Sequence, residues 1–156
     1  MNHPSDLAGR YAVAVDERDA VALAAVFTTD AEFVRPPGLT RDAGASVTTG
    51  ADAIAAAILG SVSHLHGTRH AVHQQVIDID GDTAGGTVYC LAHHLYRGRD
   101  GMRDDAIAVR YRDEYRRTGN RWQIARRELL IDFIENRAVR VPGVPAGPRD
   151  PGDRPR

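Results

Sequence analysis

Apolar side chains at Ala8, Tyr11, Ala12 and Val15 recur at i, i+3, i+4 and i+7, which predicts a helix from Ser5 to about Arg18, capped by Ser5 or Asp6. The next position on that stripe is Asp16. Asp19 is a plausible N-cap for a second helix through the apolar stretch Ala20 to Phe27, broken by Thr28-Thr29-Asp30. Ala31 to Val34 reads as a short strand. Pro36 to Thr49 has the Pro, Gly, Ser, Thr and Asp content of a loop or flap. A third helix is expected from Asp52 to about Val62, with Ile54, Ile58 and Leu59 on one side. From Thr68 the period shortens. Val72, Val76, Ile77 and Ile79 lead into the hairpin signal Asp80-Gly81-Asp82. Thr87 to Tyr96 is a mostly uncharged run, expected to be a central strand covered on both faces. After the turn Arg97 to Gly101, apolar Ile107, Val109, Tyr111 and Tyr115 alternate with charged Arg110, Arg112, Glu114 and Arg116, the pattern of a strand buried on one face. Thr118-Gly119-Asn120 turns the chain into a last strand, Trp122 to Phe133. Three helices, one short strand and a four-stranded antiparallel meander make an α+β domain. If the sheet is strongly curved, the helices can close over its concave face and leave a pocket.

Composition narrows the chemistry. The chain has 156 residues, enough for one domain with a sizeable core. We place that domain at residues 1–140, and a proline-rich flexible tail at 141–156 holding five of the eight prolines. All 20 formal positive charges are arginine. This excludes Schiff-base lysines, P-loop lysines and lysine general bases. Against 21 acidic residues the net charge is −1, with no electrostatic footprint for nucleic acid or an anionic membrane. Cys90 is the single cysteine, so neither an intramolecular disulfide nor a thiolate-cage zinc site can form. No apolar run approaches the roughly 20 residues of a membrane span, and MNHPSDLAGR lacks a signal-peptide core, so a soluble cytoplasmic protein is expected.

A carboxylate that continues an apolar stripe, as Asp16 does, either reaches solvent in the charged corner Asp16-Glu17-Arg18-Asp19 or finds a buried partner. Tyr11, on the same stripe, reads first as a core tyrosine. His64, His66, His70 and His73 fall within ten residues, but the aspartate of a binuclear His-x-His-x-Asp-His motif is missing, and no metal is expected. His70 shares the parity of Val72 and Val76. It is either a buried imidazole bonded to backbone or one paired to a carboxylate and poised as a general base. His93 and His94 must point to opposite faces of their strand, so at most one enters a given pocket. If Arg127 shares a face with Leu129, Ile131 and Phe133, it needs a carboxylate or an anionic ligand.

Together these pieces resemble the SnoaL-like branch of the nuclear transport factor 2-like superfamily, in the region of scytalone dehydratase, hexachlorocyclohexane dehydrochlorinase and bile-acid dehydratase. The resemblance covers about Leu7 to Phe133. It is carried by Tyr11 and Asp16, the segment Val26-Phe27-Thr28-Thr29-Asp30-Ala31-Glu32-Phe33, and Gly50 before the third helix. His70, Asp80-Gly81-Asp82-Thr83-Ala84, Tyr111-Arg112-Asp113-Glu114-Tyr115 and Trp122-Gln123-Ile124 complete it. It implies an α+β barrel with a cone-shaped pocket, and an aspartate on the first helix holding a proton-abstracting histidine, positions matched by Asp16 and His70. Tyr11 resembles the bile-acid dehydratase tyrosine, His94 a second histidine of scytalone dehydratase, and Arg127 an arginine of the dehydrochlorinase. No single relative shows all five.

The expected function is a cofactor-independent lyase of the dehydratase kind, acting on a hydrophobic small molecule. Asp16 orients His70, Tyr11 and His94 donate hydrogen bonds, and Arg127 stabilises an enolate-like oxygen. The alternatives are a polyketide cyclase or isomerase in the same pocket, and a non-catalytic ligand-binding or assembly domain, because fold membership does not fix a reaction. The resemblance also implies a homo-oligomer, a trimer ahead of a dimer.

Overall fold

The computed structural model describes residues 2–37 and 46–145. Helix α1 (Pro4–Asp16) begins one residue earlier than the hydrophobic stripe suggests. Pro4 occupies its first turn, where a missing N–H costs nothing, and His3 with Asp6 forms a reciprocal capping box. It stops at Asp16 because Arg18 adopts a left-handed conformation (φ 59°), turning the chain sharply into α2 (Ala20–Ala25). The Asp19 side chain caps α2 as expected, accepting from Ala22 N–H. Gly50, at φ 97°, takes a conformation that L side chains rarely adopt and starts α3 (Ala51–Val62), which buries Ile54, Ala55, Ile58 and Val62.

The strands are longer than the alternation alone indicates: β1 (Phe27–Arg35), β2 (Ser46–Thr49), β3 (Gly67–Asp80), β4 (Thr83–Gly98), β5 (Gly101–Thr118) and β6 (Arg121–Ala138). They form one sheet in the order β2-β1-β6-β5-β4-β3. The expected meander is β3 to β6, joined by hairpins at Gly81, Gly101 and Gly119, each at positive φ. Three features depart from the sequence reading. Ser46–Thr49, assigned to a loop, pairs antiparallel with β1, while residues 38–45 of that loop lie outside the described residues. The short strand of the N-terminal half lies inside the main sheet, parallel to β6. The central run Thr87 to Tyr96 is fully buried on one face only, at Val88, Cys90 and Ala92; on the other, Leu91, His93 and Leu95 are half-buried and Tyr89 is 42% exposed. Most of the 141–156 tail also falls outside the described residues.

Bulges between Val72 and Gln75 on β3 and opposite Ala108–Val109 on β6 bend the long strands. The resulting curved sheet is unclosed, since β2 and β3 are its two edges. Leu7, Tyr11 and Val15 of α1 and Ile54 and Ile58 of α3 pack into one core with Phe27, Phe33, Tyr111, Tyr115, Trp122 and Ile124. Edge-to-face contacts join Tyr11 to Phe27 and Tyr111, at 6.2 and 5.7 Å between centroids. Beyond this packed end the concave face stays open, and a cavity remains.

Candidate active site

Asp16 sits on the last residue of α1 and meets the start of β3. Its Oδ1 accepts from His70 Nδ1 at 2.7 Å and from Thr68 Oγ1 at 2.9 Å, and its Oδ2 accepts the His70 backbone N–H at 2.8 Å. Arg18 donates in turn to Thr68 Oγ1 at 2.7 Å and to Val15 O at 2.6 Å. The charged corner that could have carried Asp16 into solvent therefore holds it in place. Burial works to raise the Asp16 pKa, but the hydrogen bonds from His70 and Thr68 and the attraction of the His70 ring outweigh it, and the net shift is downward. An ionised carboxylate only accepts, so the Nδ1 of His70 carries the proton and Nε2 is left as the basic atom. The His70 side chain is 6% exposed and lines the cavity.

That cavity measures about 210 Å³. His70, His94, Tyr11, Tyr111, Ser61 and Arg35 contribute its polar surface, and Val15, Ile58, Ile107, Val109 and Ile131 much of its apolar wall. The His94 ring lies 6.4 Å from that of His70, between centroids. Desolvation, reinforced by His70, lowers the His94 pKa to about 4, so this ring is neutral at neutral pH. Burial pushes the Tyr11 hydroxyl up to about 12, keeping it a hydrogen-bond donor. Two larger clefts of about 760 and 650 Å³ lie against α1–α2 and α2–α3. Among the described residues neither is lined by a histidine.

Arg127 occupies a different place from the other four predicted residues. It does share a face with Leu129 and Ile131, but its guanidinium is fully buried beneath the cavity and forms no part of the lining. It donates to both carboxylate oxygens of Asp113, at 2.8 and 2.6 Å, and lies 4.4 and 4.1 Å from the ring centroids of Tyr11 and Tyr111. Burial opposes its charge, yet Asp113 more than compensates and its pKa moves upward. The arginine that does line the cavity is Arg35, at the end of β1. Sequence reading passed over it because it is followed by Pro36-Pro37-Gly38 and looks like a loop residue. Thr68 and Arg18 were missed too, since neither stands out by type.

His93 and His94 do point to opposite faces. His93 Nδ1 lies 2.8 Å from Asp104, a buried carboxylate that also accepts from Arg137. His64, His66 and His73 are exposed, and no group of three metal-binding side chains occurs among the described residues.

Residues 5–128 match the SnoaL-like domain family. No curated protein matches the chain. Among solved structures, a proposed scytalone dehydratase from Novosphingobium aromaticivorans DSM 12444 is 24% identical with a TM-score of 0.71, over 92% of this chain and 89% of that one. A hexachlorocyclohexane dehydrochlorinase, LinA type 2, is 20% identical with a TM-score of 0.71, over 90% and 92%. The LinA-type3 dehydrochlorinase of Novosphingobium barchaimii LL02 is 17% identical with a TM-score of 0.69, over 93% and 92%. At these identities the likeness establishes the fold.

Proposed function

The chain belongs to the SnoaL-like family, within the nuclear transport factor 2-like superfamily, and from that premise we propose that it is a lyase that removes a carbon-bound proton from a hydrophobic small molecule. The observation that carries this reading is the Asp16–His70 pair, held at 2.7 Å against a small, mostly apolar cavity. Asp16 fixes the tautomer of His70 and stabilises the imidazolium as the proton arrives at Nε2. This is the orienting half of a catalytic triad, without the nucleophile. His94 is neutral and can donate to, or accept from, a carbonyl or departing hydroxyl, and Tyr11 supplies a donor on the same wall. A carbonyl or aromatic ring in the substrate delocalises the charge, so the base and its donors suffice for the step. Arg127 acts from below, holding the tyrosine rings against which the substrate would rest.

Incubation with aromatic β-hydroxy ketones, followed by mass spectrometry, tests the reaction class. Loss of water supports elimination, whereas an unchanged mass with deuterium taken up from heavy water supports isomerisation by the same base. His70→Ala is expected to abolish either outcome by a factor on the order of 10² to 10⁴. Unchanged turnover in that variant sinks the mechanism.

A further inference from the structure

Most arginines of β5 and β6 have an anionic neighbour. Arg110, Arg116, Arg117, Arg126 and Arg137 each reach a carboxylate, and so does the fully buried Arg127. Arg35 differs. It lines the cavity, its Nε is buried, and that atom has no hydrogen-bond partner among the described residues. Among the described residues, no Asp or Glu lines the cavity with it. A buried N–H without an acceptor is costly, and a guanidinium offers two parallel donors spaced for a carboxylate.

We propose that Arg35 is a specificity-determining residue that binds a carboxylate of the substrate, and that the pocket takes small aromatic or alicyclic acids. This rests on the proposed dyad only for the reaction, since the recognition itself needs no catalysis. The geometry assigns the carboxylate to the end of the substrate remote from the acidic C–H. Arg35 is on β1 and His70 on β3, with β6, β5 and β4 between them. That is four strand spacings, about 19 Å along the sheet, and the bend of the sheet brings both residues into the lining of one cavity. A charge anchored at Arg35 presents the middle of the ligand to the base at His70, so binding energy from a non-reacting group orients the reacting carbon. The volume limits the rest. About 210 Å³ is below the ~300–1,000 Å³ usual for ligand pockets, so the body is of single-ring size.

The probes are benzoate and phenylacetate against benzamide and phenylacetamide, pairs alike in shape and different in charge. Affinity is read by calorimetry, and location by the NMR signals of the His70 and His94 rings. In the wild-type protein the acids are expected to bind on the order of ten- to a hundredfold more tightly than their amides and to shift both rings. Arg35→Gln is expected to erase the preference, and Arg35→Lys, which keeps the charge but loses the fork, to restore part of it. His70→Asn removes the base and is expected to leave the preference intact, which separates failure of this proposal from failure of the dyad. Equal binding of acids and amides by the wild-type protein overturns the proposal. So does a preference that survives Arg35→Gln and vanishes in His70→Asn, since the carboxylate would then sit on the imidazole.

Discussion

Asp16 grips His70 at two points, taking the ring Nδ1–H with one carboxylate oxygen and the backbone N–H of the same residue with the other. Such a grip fixes both the strand and the ring, and it couples the end of α1 to the base. Asp16→Asn can still accept a backbone bond but no longer neutralises an imidazolium. Turnover is expected to fall by a factor on the order of 10² or more while the fold persists. Steady-state rates beside a far-ultraviolet dichroism spectrum check this.

The same carboxylate makes stability depend on pH. Its folded pKa lies below its ordinary value of 3.8, so in acid the unfolded chain binds the proton first. The stabilisation is fully present above about pH 4 and is lost as pH falls through the folded value. Urea denaturation across the acid range is expected to show this loss, and Asp16→Asn to remove its share of it.

His94 titrates in a separate window. Its folded pKa of about 4 is below its ordinary 6.5, so between those values the unfolded chain takes up a proton that the folded one refuses. Its contribution to stability is complete above about pH 6.5 and declines toward pH 4. Ring NMR signals of His94 should stay those of a neutral imidazole from pH 6 to 8. Since His70 helps depress this pKa, His70→Ala is expected to raise it.

Arg127 and Asp113 form a pair with no solvent exposure on either side chain. Asp113→Ala strands a buried guanidinium and is expected to cost about 3–5 kcal/mol in urea unfolding. An Asp113→Leu, Arg127→Met double variant is expected to recover much of that loss. If activity falls with stability restored, the pair also positions Tyr11 and Tyr111.

Gly86 and Gly60 offer opposite outcomes from the same substitution. A Cβ on Gly86 would sit 2.5 Å from Val76 O and 2.9 Å from Ile77 Cγ1, whereas at Gly60, on the exposed side of α3, it meets nothing. Gly86→Ala is expected to destabilise by about 1–3 kcal/mol. Gly60→Ala is expected to stabilise by roughly 0.5–1 kcal/mol. Thermal melts of the two variants decide both.

The alternating pattern made β5 and β6 legible, and the glycine turns gave the hairpins, because both are local rules. The parallel pairing of β1 with β6 has no local signature and was invisible. Asp16 and His70 could be singled out because a carboxylate on an apolar stripe and an inward-facing histidine are anomalies of type at their positions. Arg35 was not, since an arginine before Pro36-Pro37 is ordinary in sequence and unusual only once the sheet bends it over a cavity. Arg127 was recognised as needing an anion, but the alternation could not tell whether that anion belonged to the protein or to a ligand. Asp113 on the neighbouring strand answered it.

The seam between β1 and β6 also has a kinetic consequence. It joins segments from opposite ends of the chain, as where Gln123 donates to Phe27 O across 96 positions of sequence. The three helices and β1 emerge from the ribosome long before the strand that will cover β1, and until then its open edge is available to other chains. The contact order of this seam is high, which points to slow closure of the sheet and to truncations after β5 as aggregation-prone species.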